Sequence, residues 1–179
     1  LSGFKDFSYE ESGGIIFTEQ DFNPWKEVDI IFCIHCPDYE KLNNLKEGCL
    51  IIGLLNPFGN KDLAKLLSDL KLSAIALELL PRISRAQSSD VLSSQANIAG
   101  YKSVLLAASE LDRYFPMLMT AAGTVQPAKV VVLGGGVAGL QAVATAKRLG
   151  ALVFVSDIRP AVKEQVESLG AKFINLPEI

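Results

Sequence analysis

The sequence predicts an α/β protein built on two parallel sheets. From residue 28 to residue 77, short apolar runs alternate with an amphipathic stretch, the rhythm of strand, crossover helix and parallel strand. The same rhythm returns between residues 129 and 174. Between them, residues 89–127 form a long stretch of small and polar residues suited to joining two halves. The expected organisation is a partial N-terminal α/β subdomain over 1–88, a connecting helix and linker over 89–127, and a partial second subdomain over 128–179.

The composition fits this reading. A chain of 179 residues accommodates one large domain or two small ones. At 49% hydrophobic residues and a net charge of −3, it has a globular composition and no electrostatic case for nucleic acid. No uninterrupted apolar run reaches the roughly 18 residues of a membrane span, and the start, Leu1 to Lys5, lacks the pattern of a secretory leader. Three cysteines, Cys33, Cys36 and Cys49, make no disulfide framework, so a reducing compartment is expected.

In chain order, residues 1–27 show little periodicity; Gly14 to Phe17 is expected to form a short strand and Trp25 a packing anchor. Val28 to Ile34 reads as a buried strand by its length and apolar run, and Leu50 to Leu54 as a second. Asp38 to Lys46 between them is a polar connector. Asn60 to Leu70 is an amphipathic helix with Asn60 at its N-cap, and Leu72 to Leu77 a third strand. Cys33, His35 and Cys36 invite a metal or redox reading. Structural zinc needs four ligands, however, and a redox CxxC opens a helix, whereas here Cys33 lies on a strand and Cys36 precedes Pro37. They are read as strand-end residues, and no metal site is expected.

Glu78 to Asp90 follows a parallel strand and holds Arg82, Arg85, Gln87 and Asp90 with several serines. Open α/β sheets place ligand groups there. Ser89 or Asp90 starts the next helix, expected to run through Tyr114 and to end before Pro116. Met117 to Pro127 reads as a linker.

The strand Val130 to Leu133 then stops at Gly134-x-Gly136-x-x-Gly139, and a helix continues from Val137 to Gly150. This is the dinucleotide fingerprint of a Rossmann-like unit. Gly134 permits the tight turn, Gly136 lets a pyrophosphate touch bare backbone, and Gly139 lets helix and strand approach closely. The next strand, Ala151 to Ser156, ends in Asp157, where a carboxylate takes the adenosine ribose hydroxyls and disfavours a 2′-phosphate. Arg159 weighs the other way, because a nearby arginine accommodates that phosphate. The acid's place at the strand tip favours NAD(H). A helix over Pro160 to Leu169 and a strand over Ala171 to Ile174 follow. A complete doubly wound domain uses about six strands, so the chain is expected to be a segment of a longer polypeptide, the second sheet truncated.

The stretch Pro81 to Tyr101, with Met119 to Thr124 and Lys163 to Gly170, resembles the NAD(H)-binding domain of proton-translocating nicotinamide nucleotide transhydrogenase, alpha-subunit type, within the alanine dehydrogenase/transhydrogenase superfamily. The match is dense from Leu79 to Ile174. The resemblance implies two Rossmann-like subdomains joined by a long helix. It implies direct hydride transfer between NAD(H) on this domain and NADP(H) on a partner domain, coupled to proton movement through a membrane domain. It also implies a homodimer peripheral to a membrane, at the cytoplasmic face of a bacterial inner membrane or on an organelle membrane. By that resemblance Arg82, Asp90 and Ser93 orient the NAD(H) nicotinamide and Gln87 aligns the incoming NADP(H). The backbone from Arg82 through Ile83 and Ser84 to Arg85 lines the nucleotide site with Val137, Asp157, Ile158 and Arg159.

Two alternatives stand beside it. Alanine dehydrogenase shares the fold, but the positions of its substrate lysine and catalytic histidine align with Cys33 and Leu55. A non-catalytic NAD-binding module would not require the set Arg82, Gln87, Asp90 and Ser93. Hydride transfer between two nicotinamides needs no general acid or base, which agrees with a chain holding a single histidine.

Overall fold

The apolar runs become strands, and their register fixes which side chains share a face. The computed structural model describes residues 3–17 and 24–175. The chain divides into two units, Leu1–Ser89 and Asp90–Ile179. Both are α/β with parallel sheets, as the sequence predicts.

In the first unit the described elements are α1 (Asp6–Glu11), β1 (Ile30–Cys33), α2 (Tyr39–Asn43), β2 (Leu50–Gly53), α3 (Lys61–Asp69) and β3 (Ser73–Ala76), with 3-10 turns at Pro24–Lys26, Leu77–Leu79 and Ser84–Ser89. The three strands form one parallel sheet in sequence order. Ile31 pairs with Ile51, which pairs with Ala74, so these three side chains share a face. Helices α2 and α3 cover that face with Leu42, Leu63 and Leu67, and with Ile51 and Leu55 they make a buried core. Each such side chain contributes about 1.5–3 kcal/mol of burial.

Two expectations change here. Gly14 to Phe17 forms no strand; the Gly14 amide instead donates to the Tyr9 carbonyl (2.8 Å) and closes the end of α1, a helix too short for its spacing to stand out in the sequence. Trp25 is half-buried, with the Lys41 ammonium 5.7 Å from its ring centre. Strand β1 is not buried on both sides. Phe32 is 79% exposed, because an all-apolar strand needs helices on both faces and the described residues of this unit supply them for one.

The second unit contains α4 (Val91–Glu110), β4 (Leu118–Thr120), β5 (Gly123–Val125), β6 (Lys129–Leu133), α5 (Val137–Arg148), β7 (Leu152–Ser156), α6 (Val162–Ser168) and β8 (Lys172–Phe173). Strands β6, β7 and β8 are parallel and adjacent in that order. Val143, Ala146, Val153, Val155 and Val166 form the centre of its core. Helix α4 lies on α5 at close range: a β-carbon on Gly100 would overlap the Ala138 carbonyl. The Asn97 amide donates to the Gln141 side-chain oxygen (3.2 Å) across the same seam. Helix α4 stops at Glu110, short of Tyr114, because Leu111 is extended (φ −85°, ψ 121°). The stretch expected to be a linker holds an antiparallel hairpin, β4–β5, with Thr120 opposite Gly123.

Candidate functional site

The glycine turn is built where β6 gives way to α5. Gly134 has φ +95°, a conformation other residues adopt only with strain, and its amide donates to the Ser156 carbonyl at the end of β7 (2.8 Å). Gly136 occupies the N-cap of α5 and has no side chain to satisfy the helix. The amides of Val137, Ala138 and Gly139 therefore point out of the first turn without intrahelical acceptors. Free amides and the helix dipole together favour an anion at such a helix end. A β-carbon on Gly136 would meet nothing within 4 Å, so its backbone is open to a ligand, whereas one on Gly139 would overlap the Gly134 carbonyl. The turn thus fits a nucleotide pyrophosphate laid against bare main chain.

Asp157 lies at the tip of β7, as expected, and its carboxylate is heavily engaged. One oxygen, Oδ2, accepts from the Gly135 amide (2.7 Å) and from an Arg159 guanidinium nitrogen (2.9 Å). The other, Oδ1, accepts from the Arg159 amide (2.8 Å) and from Arg159 Nε (2.9 Å). The Arg159 guanidinium, then the Arg159 and Gly135 amides, hold this carboxyl well below the usual carboxylate range, and the arginine is pushed up in turn. Gly135 carries no signal in the sequence because it is a free position of the fingerprint; what marks it is its reach to the acid of the next strand. Ile158 is fully exposed beside this pair.

A depressed pKa in the folded state sets the direction of the pH effect. The stabilisation from Asp157 is complete above the ordinary unfolded value of about 4 and declines as pH falls toward the folded value. The stability gap between the native protein and Asp157→Asn, from urea melts, is expected to stay level between about pH 8 and 5 and to narrow below about pH 4.

The polar loop splits between the units. Arg82, Ile83, Ser84, Arg85 and Gln87 lie in the first unit, on and before the 3-10 turns at Ser84–Ser89, and all are exposed. Asp90 and Ser93 open the second unit. Asp90 caps α4: Oδ1 accepts from the Ser93 amide (3.0 Å) and Oδ2 from the Ser93 hydroxyl (2.7 Å). Asn60, in contrast, makes no side-chain cap to α3; its Oδ1 accepts from the Tyr39 hydroxyl (3.0 Å).

At the strand ends of the first sheet, burial pushes the thiols of Cys33 and Cys36 up, away from the reactive thiolate. Among the described residues no cluster of His, Cys, Asp and Glu is arranged to hold a metal. Glu78 joins the ends of β2 and β3 by accepting from the Asn56 amide (2.5 Å). Leu55, 4% exposed, belongs to the core.

Comparison with known proteins identifies the family. The description "Alanine dehydrogenase/PNT, N-terminal domain" matches residues 1–99, and "Alanine dehydrogenase/PNT, C-terminal domain" matches residues 103–178. The chain belongs to the alanine dehydrogenase/PNT family. Within the family it is 58% identical over 134 residues to an NAD(P) transhydrogenase subunit alpha polypeptide of Rhodospirillum rubrum, covering 75% of this chain and 35% of that protein. Its similarity to alanine dehydrogenase 2 of Staphylococcus aureus (strain Mu50) is lower, 31% over 171 residues, covering 94% of this chain and 45% of that one. A solved transhydrogenase from Sinorhizobium meliloti superposes with a TM-score of 0.90 at 50% identity, covering 97% of this chain and 52% of that structure. The chain spans about a third of the length of the transhydrogenase relative from Rhodospirillum. Among the described residues no helix is long and apolar enough to cross a membrane.

Proposed function

We propose that this chain is the NAD(H)-binding part of a proton-translocating transhydrogenase, passing hydride directly between NAD(H) held here and NADP(H) held on a partner domain. The observation that carries this reading is the glycine turn with Asp157 at its side, in a family member far more similar to transhydrogenase than to alanine dehydrogenase. The nucleotides supply the hydride and its acceptor. Gly134, Gly136, Val137 and Gly139 hold the pyrophosphate against the helix end, and Asp157, Ile158 and Arg159 surround the adenosine ribose. Arg82 to Arg85, Asp90 and Ser93 orient the nicotinamide, and Gln87 aligns the second nucleotide.

No residue has to move a proton in this transfer, so catalysis is a matter of distance and angle. The alternative dehydrogenase would need a lysine and a histidine where this chain has Cys33 and Leu55, and Leu55 is buried among leucines with no acid or base to offer. The partners proposed are the NADP(H)-binding domain, the membrane proton-channel domain and a second copy of this subunit, with this domain peripheral to the membrane.

Asp157 opposes a 2′-phosphate by like charge. In calorimetry the full-length protein is expected to bind NADH roughly tenfold or more tightly than NADPH. Equal affinities would contradict the assignment of Asp157 to the ribose.

A further inference from the structure

The carboxylate of Asp157 is saturated by donors of its own chain. An ionised carboxylate has about four acceptor positions, and all are taken: by the Gly135 amide, the Arg159 amide, Arg159 Nε and a terminal Arg159 nitrogen. The two amide donors are fixed in the backbone, one in the glycine turn and one in the connection after β7. The two guanidinium donors sit on a side chain that is 59% exposed, while the Asp157 side chain beneath is 5% exposed. A ribose diol also offers two donors. The numbers match two for two, and only the arginine side chain can swing away.

We propose that the Arg159 side chain is a displaceable occupant of the ribose subsite, so that the nucleotide's 2′- and 3′-hydroxyls enter by exchange with it. This rests on the assignment of Asp157 to the adenosine ribose. Arg159 then sets nucleotide affinity by competition. It does not recruit a 2′-phosphate, because releasing the guanidinium leaves the Asp157 charge bare beside that group. The guanidinium side of the fork is exposed, so water can take over the hydrogen bonds the arginine gives up when it leaves on binding. The backbone donors stay in place and keep the carboxylate aimed.

The test uses the full-length protein and two probes, ADP and 2′,3′-dideoxy-ADP, which differ only in the hydroxyls at issue. Arg159→Ala is expected to tighten ADP by roughly two- to fivefold and to leave dideoxy-ADP unchanged. Arg159→Gln, which cannot form the fork, should behave likewise and guards against a folding artefact of the alanine variant. Weaker or unchanged ADP binding in both variants overturns the exchange, as does equal tightening of both probes, which would be a general charge effect. Asp157→Asn separates the underlying reading: it should weaken ADP and spare dideoxy-ADP. If it leaves ADP unchanged, the ribose assignment itself is wrong. If it weakens ADP while the Arg159 variants do not tighten it, the assignment stands and the competition falls.

Discussion

Replacing Gln87 by alanine is expected to slow hydride transfer about a hundredfold while leaving the NADH dissociation constant within about threefold. The asymmetry follows from what this reaction requires. With no proton to move, the rate depends on bringing two nicotinamide carbons into contact at the correct angle, and a misplacement of about 1 Å costs on the order of a hundredfold. Gln87 is exposed in the 3-10 turns at Ser84–Ser89 and lies outside the glycine turn, so its loss should touch alignment and not anchoring. Asp90 is a less selective probe. Both of its carboxylate oxygens accept from Ser93 at the start of α4, so truncating it also removes a helix cap worth about 1 kcal/mol. Stopped-flow transfer rates beside equilibrium NADH binding check the point. Rate and binding falling together for Gln87→Ala would make it an anchor and not an aligner.

The second large effect is expected at Gly139. A methyl there would overlap the Gly134 carbonyl, so the turn and the helix must separate. A helix-interior glycine replaced by alanine ordinarily gains up to about 1 kcal/mol. Here overpacking reverses the sign, and a loss of about 1–3 kcal/mol in urea melts is expected, together with loss of nucleotide binding. Gly136→Ala is the contrasting case. Its added carbon meets nothing within 4 Å, so stability should hold while binding falls because the methyl occupies the ligand's approach. If the two variants melted alike, the close crossing would not be what holds the turn together.

How much of this is readable from residues alone depends on whether the deciding force is local. The strand, glycine turn and helix from Lys129 to Arg148 follow from β-branched residues, backbone freedom and helical spacing, all local properties, and the structure has them as expected. The cap at Asp90 is legible for the same reason. The β4–β5 hairpin is not, because strands of three residues carry no alternation to detect. The exposure of Phe32 cannot be read either, since an apolar run reports a strand's composition and not what covers it. At the site, residue types alone set Asp157 and Arg159 against each other as rival signals for the ribose. Their geometry joins them in one bidentate pair, which no spacing along the chain reveals.

The proposed passage of hydride between two nucleotides can be followed in one reaction. The full-length protein is mixed with an NADP(H)-binding domain, NADH and NADP⁺, and the appearance of NADPH is followed, with alanine and NAD⁺ as a parallel reaction. The expected result is NADPH formation that requires both proteins, and no NADH from alanine. NADH formed from alanine without the partner, and no exchange with it, would contradict the claim.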